Sequence, residues 1–294
     1  MGLRIRTNVS ALQSQRNLEN TTRDLSDNVE KLSSGYRINK SADDAAGLAI
    51  TDTLEAKIRS TGQAKRNASD GVSMIQVAEG SMNEITNILV RLRELATQSA
   101  TDTLGNLERS YTNKEYTQLV EEIDRIANAT EFNGVKLLGG GGNNDGLDEL
   151  VFHISAGNGA AENTDTINLN IEQIKVESAD VLGLGKDAEV GPLDPDGDFD
   201  RQDAADKLDV LDVAIKRIAG NKAILGAKQS RLNSTIRNIG VQMETMETAK
   251  SRIKDTDFAG ETAKYTQNNI LSQAGSSVLS QANNQSQLAL ALIR

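Results

Sequence analysis

Apolar residues recur at helical spacing along most of this chain, and the longest unbroken pattern lies in its last third. Leu211, Ile218, Leu225, Leu232, Ile239, Met246 and Ile253 stand at every seventh residue. Leu208, Ile215, Ile236 and Met243 fill the alternate seam positions, and Lys222, Gln229 and Lys250 interrupt them. A 3-4 alternation sustained from Leu208 to Ile253 is a heptad seam, which predicts left-handed pairing with another helix. At 1.5 Å per residue that helix would be about 70 Å long. Polar residues in such a seam weaken packing but restrict register.

A second long helix is predicted from Ser41 to about Ser99. Ser41 is placed to cap it, and Asp43 and Asp44 suit its positive first turn. Ile75, Ala78, Met82, Ile85, Leu89, Leu92 and Ala96 form its stripe. Gly62, Gly71 and Gly80 fall inside it; each costs about 1 kcal/mol relative to Ala, which points to close packing. A third helix, Leu107 to Ala129, carries Tyr116, Leu119, Ile123 and Ile126 and follows a loop from Thr101 to Asn106. Near the start, Val9, Leu12, Leu18, Leu25, Val29 and Leu32 make a narrow stripe. Near the end, Leu271, Ala274, Val278, Ala282, Leu288 and Leu292 make another. Neither is apolar enough to hold a helix alone, since isolated helices in water depend on packing.

Between the helical halves the pattern changes. Gly134 to Gly146 reads as a flexible loop. Phe152 and Ile154, then Ile167, Leu169 and Ile171, alternate around a Gly/Asn-rich turn and read as a β-hairpin. Ser178 to Asp203 holds both prolines, Pro192 and Pro195, and reads as loop. The expected fold is mainly α: a long antiparallel helical bundle or coiled coil with a small β-hairpin region at the tip. Residues 1–42 with 256–294 would form a terminal coiled-coil domain. Residues 43–138 with 201–255 would form a helical rod, and 139–200 its tip.

Composition supports narrow seams rather than a compact globule: 37% of residues are hydrophobic, 3% aromatic, and there is no Trp. The net charge of -10 and pI of about 4.8 repel phosphate backbones, and no run of Lys and Arg stands out, so nucleic-acid binding is not expected. Without Cys, disulfides, thiolate metal sites and Cys nucleophiles are excluded; such a chain suits export unfolded and folding without oxidation. Arg4 and Arg6 precede no apolar run, so no secretory signal is expected. No stretch nears the roughly 18 apolar residues that would insert in a membrane. His153 is the only histidine, with no partners for catalysis. Asp194 to Asp203 places Phe199 where a calcium loop requires Gly. Val181 to Lys186 ends in Gly-Lys followed by Asp187, which is no phosphate loop. Neither an enzyme nor a cofactor or metal site is expected.

Several long blocks, in order, resemble bacterial flagellin over nearly the whole chain. They are LSSGYRINKSADDAAGLAI (Leu32 to Ile50), RNASDGVSMIQVAEGSMNEI (Arg66 to Ile85), RLRELATQSA (Arg91 to Ala100), EEIDRIANATEFNGVKLL (Glu121 to Leu138), LGAKQSRLNSTIRNIG (Leu225 to Gly240) and Ala249 to Asn284, with an end in Leu-Ile-Arg. The resemblance implies an extracellular structural subunit that self-assembles into the flagellar filament used for swimming, with both chain ends forming an inner coiled-coil domain. Only about 60 residues separate Gly139 from Arg201, so a minimal form without a large outer domain is expected. Implied partners are identical copies, the type III export apparatus, an export chaperone for the C-terminal segment, the filament cap, the junction protein and, by analogy, an animal innate receptor. The receptor contacts map by motif to Arg91, Leu95 and Glu115, with Val90 where receptor-active members carry Gln; contact between copies is the primary reading of Arg91 and Glu115. The nearest alternative is a hook–filament junction protein, which shares the terminal domains.

Overall fold

The computed structural model describes residues 8–139, 149–157, 165–176, 182–184, 190–191 and 201–291. Its order is α1 (Val9–Ser34), α2 (Ala45–Ser99), α3 (Asn106–Ala129), β1 (Glu131–Phe132), β2 (Val135–Lys136), β3 (Glu149–His153), β4 (Thr166–Asn170), α4 (Arg201–Lys254) and α5 (Phe258–Ala291). The expected mainly α fold with a small β-hairpin forms, and the described residues hold a second two-stranded antiparallel pair. The chain divides into two compact units, Arg59–Met243 and Met1–Ile58 with Glu244–Arg294.

In the first unit the stripe from Ile75 to Ala96 on α2 is buried, and Leu211, Ile218, Leu225 and Leu232 of α4 are fully buried against it. The α4 face is wider than a two-helix seam. Ala214 and Asn221 are buried on one side of that row, and Ile215 and Ile236 are half-buried on the other. That width belongs to a helix touching more than one neighbour, and α3 supplies the third with Tyr116, Ile123 and Ala127. Lys222, the first polar break in the seam, donates to Asn83 of α2, and Arg93 pairs with Asp212 at 2.7 Å. Both ties run between antiparallel helices and specify their register. The Tyr116 hydroxyl is buried without a partner among the described residues, and burial pushes its phenol pKa up.

Two features of this unit correct the sequence reading. Gly134 does not open a loop: Asn133 and Gly134, at φ 52° and 82°, turn β1 into β2, with Phe132 opposite Val135. Leu137 and Leu138 are then buried, held by Leu137 N donating to Thr130 O (3.0 Å) and Val176 N to Leu138 O (2.8 Å). The second correction concerns the larger hairpin, β3–β4. It forms in the expected alternation, with Phe152 opposite Ile167 and Leu150 opposite Leu169. It lies beside Asn67 and Gly71 of α2, however: Asn67 donates to His153 O at 3.1 Å, and a Cβ on Gly71 would meet the Phe152 ring at 3.0 Å. Gly71 thus has the packing reason expected of it, whereas an added Cβ on Gly80 would meet nothing within 4 Å. The α2–α3 turn, about 40 Å further along α2, is closed instead by Val190 and Gly191. Ser99 donates to Val190 O, and Val190 N donates to Asn113 Oδ1 at 3.1 Å.

In the second unit α1 lies antiparallel to α5. Asn8 donates to Ala282 O at 2.9 Å, Leu18 faces Gly275, and Gly35 O accepts from Thr256 N at 3.0 Å. Gly35 ends α1 in the left-handed region at φ 73°, as a C-terminal cap requires. Asp44, not Ser41, caps α2, its Oδ1 accepting from Gly47 N at 2.9 Å. Asp43 is turned back to accept from the Asn39 and Lys40 amides, so α2 starts four residues later than expected. Lys250 forms an ion pair with Glu55.

Candidate assembly surfaces

The α1–α5 contact intersperses a few leucines with small and polar residues. On α5 the half-buried or buried positions Glu261, Tyr265, Asn268, Ser272, Gly275, Leu279 and Ala282 form an unbroken 3-4 series, with Asn269 half-buried beside it. On α1 they include Ala11, Ser14, Leu18, Thr21, Leu25, Asn28 and Leu32. Leu18, Leu25 and Leu32 therefore line the seam. Leu271 and Val278 sit one position off the α5 series and face away, 48% and 56% exposed, beside Ile270 at 61%. Val9, Leu12 and Val29 are likewise exposed on α1. Leu288 lies in the α5 backbone; its side chain, and the whole of Leu292, fall outside the described residues. This hairpin of helices hides many small and polar residues and leaves several of its apolar ones exposed.

A polar cluster fixes the seam's register. Asn28, only 7% exposed, donates to Asp24 O and to Glu261 Oε1 (2.8 Å) and accepts from Asn268 Nδ2 (3.0 Å). Sliding either helix by a turn would leave these groups buried and unpaired, which costs about 1–3 kcal/mol for each. A cross-link reads this register directly. A Cβ on Gly275 would lie 3.9 Å from Leu18 Cβ, within the roughly 3.5–4.5 Å that a disulfide spans. With no native Cys, Leu18→Cys with Gly275→Cys should oxidise to one intramolecular bridge, visible as a faster non-reduced gel band. Leu18→Cys with Ala282→Cys, two turns out of register, should not; equal yields from both pairs would contradict the fixed register.

The connection between the helices is polar and pH-sensitive. The α4 carbonyls at Ile253 and Lys254 accept from the Arg37 guanidinium (2.6 Å) and the Arg37 amide (2.7 Å), and Asp257 starts α5 by accepting from Ala259 N at 3.1 Å. Hydrogen bonds from Lys40 and then Asn39 hold the Glu30 carboxyl below its usual range. The Lys40 and Asn39 amides do the same to Asp43, and Glu30 raises Lys40. The lowered carboxylates stabilise the fold fully above their unfolded values, and that stability is lost as pH falls through the folded ones. Lys40 contributes below its unfolded value and loses it only as pH rises through its raised one. Thermal unfolding followed by circular dichroism should therefore be level from about pH 5 to about pH 9 and weaken below about pH 4. Glu30→Gln should reduce the acid loss; a melting temperature that rises on acidification would contradict the assignment.

In the Arg59–Met243 unit the seam positions Leu211, Ile218, Leu225, Leu232 and Ile239 are buried, while Met246, beyond that unit, is half-buried. Arg91 and Glu115 are exposed and pair with each other at 2.8 Å, with Glu94 also on Arg91 at 3.0 Å. Leu95 is 2% exposed, so its placement on a contact surface is corrected. Motif alignment carried it there, but its neighbours Leu92 and Ala96 lie on the inner face and it lies with them. Two signals went unused in the sequence: the 3-4 series of small residues on α5, and a one-sided charge distribution on α4. His153 is half-buried, its Nε2 3.1 Å from Gly157 O.

Residues 5–143 match the bacterial flagellin N-terminal helical region and residues 208–293 the bacterial flagellin C-terminal helical region. Flagellin of Bacillus subtilis (strain 168) is 40% identical over 314 aligned residues, covering 99% of this chain and 100% of that protein. Flagellin FlaB2 of Treponema pallidum (strain Nichols) is 39% identical, covering 99% of each. Among solved structures, a Vibrio parahaemolyticus protein described as flagellar hook-associated superposes with a TM-score of 0.60 at 15% identity, covering 72% of this chain and 100% of that one; that likeness is one of fold.

Proposed function

The chain belongs to the bacterial flagellin family, and from that premise we propose that its copies are joined through the outward apolar faces of α1 and α5. It is a structural subunit of the extracellular flagellar filament, formed by self-assembly of identical copies. One observation carries the finer reading: Leu12, Val29, Ile270, Leu271 and Val278 are exposed, while the α1–α5 seam intersperses Leu18, Leu25, Leu32 and Leu279 with Asn, Ser, Thr, Gly and Ala. A two-helix hairpin so seamed recovers little against the roughly 1–2 kcal/mol of backbone entropy that each ordered residue costs. Burial of the outward faces by neighbouring copies, at about 25 cal/mol per Å² of apolar area, supplies the missing term. A contact that does not close on itself repeats into a helix rather than a ring.

The same exposed α5 face suits an export chaperone before assembly. Engagement by the type III export apparatus, the filament cap and the junction protein at the base completes the reading. Arg91 and Glu115 are assigned first to contact between copies and second to an animal innate receptor. The alternative, a hook–filament junction protein, draws on the shared fold alone, whereas the full-length relatives are flagellins. Polymerisation of the purified chain, followed by sedimentation and electron microscopy, tests the reading. The expected product is long fibres, with α1 and α5 amides exchanging fast in the monomer and slowly in the fibre. A chain that stays dispersed, or α1 and α5 amides already as protected in the monomer as those of α2, would refute it.

A further inference from the structure

We propose that the outward edge of α4 within the Arg59–Met243 unit is a charge-graded docking surface on which a second copy of this chain seats, parallel and staggered. The inference rests on the filament reading and specifies one of its contacts. From Val213 to Met243 the sequence holds Lys216, Arg217, Lys222, Lys228, Arg231 and Arg237 and no Asp or Glu, in a chain of net charge -10. Immediately before it the same helix carries Asp203, Asp206, Asp209 and Asp212 against Arg201 and Lys207. Position on the helix decides whether these charges share a side. Asp209, Lys216 and Arg237 lie in one row of sevenfold spacing and Asp203, Arg217 and Arg231 in another about 100° round the helix, with Asp206, Gly220 and Ala227 between them; these charged residues are all exposed, although Val210 and Ile224 of the second row are half-buried against the core. One edge of one helix therefore runs from acidic to basic.

Much of the basic stretch is unsatisfied among the described residues: no carboxylate pairs with Arg217 or Arg231, Arg237 donates to the Ser234 hydroxyl at 2.9 Å, and Lys216 has only the electrostatic attraction of Asp212. Asp212, held by Arg93, is already engaged and takes no part. Beside the cations the surface is low. A Cβ added to Gly220 or Gly226 would meet nothing within 4 Å, and Ala223, Ala227 and Ser230 are exposed. A glycine inside a helix costs about 1 kcal/mol and secures no contact within the isolated molecule here. Low side chains flanked by unpaired cations fit a second helix backbone bearing carboxylates. The α4 stretch 203–209 of another copy has that chemistry, and a shift of about 20 residues, roughly 30 Å, brings it opposite the cations. In the parallel sense each added copy leaves one acidic and one basic stretch free, so the contact repeats. In the antiparallel sense both stretches would be satisfied at once, closing a dimer.

Charge exchange in the full-length chain tests this. One variant carries Arg217→Glu, Arg231→Glu and Arg237→Glu; the other carries Asp203→Lys, Asp206→Lys and Asp209→Lys. Each is checked for unchanged helicity, and critical concentrations are measured by sedimentation. Each variant alone sets like charge against like and should need at least about tenfold more protein to polymerise. An equal mixture, whose contacts all become complementary, should return to within about threefold of the unmodified chain. That chain should itself need more protein as salt rises from about 50 to about 500 mM, because exposed pairs are screened. If either variant polymerises alone like the unmodified chain, or the mixture fails to recover, this surface is not the contact and the filament reading stands. A mixture that stops at a discrete dimer overturns the parallel stagger. An unmodified chain that never polymerises overturns both.

Discussion

Replacing Ile270, Leu271 and Val278 together by Gln should leave the monomer folded and abolish its polymerisation at concentrations where the unmodified chain forms fibres. All three side chains are exposed in the isolated molecule, 48–61%, and face away from the seam with α1. Their removal deletes nothing that the monomer uses, and Gln keeps helix propensity close to that of Leu. In a fibre whose copies cover this face, each side chain contributes roughly 1.5–3 kcal/mol if fully buried. At the lower figure the three together are worth about 4.5 kcal/mol, or roughly two-thousandfold in critical concentration. Sedimentation against protein concentration gives that ratio, and circular dichroism of the dispersed variant verifies the fold. Fibres from the triple variant at the unmodified chain's concentration would show that this face is not covered by a neighbour. A control at Ser276 or Gln273, polar and exposed on the same helix, should change the critical concentration by less than about threefold, the scale of an ordinary surface substitution.

Where the sequence alone was a good guide, burial and periodicity said the same thing. The heptad row of α4 is apolar at every position from Leu211 to Ile239, and no other row of that helix is so uniformly apolar. The stripe of α2 is equally plain, because Ile75 to Ala96 repeats on one face with few rivals. The ends are different. On α5 most of the apolar residues and most of the seam residues are different positions, so Leu271 and Val278 mark the outward face, while Ala282 alone of the described stripe lies in the seam with α1. A helix pair that hides Gly275 and Ser272 is legible only once its partner is known. The capping error at Ser41 has a local cause. Three polar residues, Ser41, Asp43 and Asp44, compete for the same start, and the choice falls to Asp44 because Asp43 is already satisfying the Asn39 and Lys40 amides. The Asn133-Gly134 dipeptide favours the two-residue hairpin, but the run of glycines after Leu138 gives the whole segment the composition of a loop. The charge gradient on α4 was obscured by the total: a net charge of -10 hides a basic stretch that becomes visible only when charges are counted along one helix and assigned to one side of it.

Leu225→Ala should destabilise the Arg59–Met243 unit by about 2–5 kcal/mol, the usual cost of removing a fully buried Leu when its surroundings cannot collapse into the space. Leu225 is 0% exposed and sits between Ile218 and Leu232, also 0% exposed, in the same row. Rigid helices on either side leave the cavity little chance to close. Met246→Ala, in the same sevenfold row but half-buried, should cost less, because part of its surface already faces water and Met adapts to irregular gaps. Val213→Ala, 61% exposed, should fall within about 0.5 kcal/mol of the unmodified chain. Denaturant unfolding of the dispersed protein ranks the three. Sequence spacing alone treats Leu225 and Met246 as equivalent members of one seam, so their difference isolates what the three-dimensional packing adds. Equal losses at the two positions would mean that the row is buried evenly throughout, contrary to the packing described for α4, while a loss at Leu225 no greater than that at Val213 would remove the core on which the unit's stability is argued to depend.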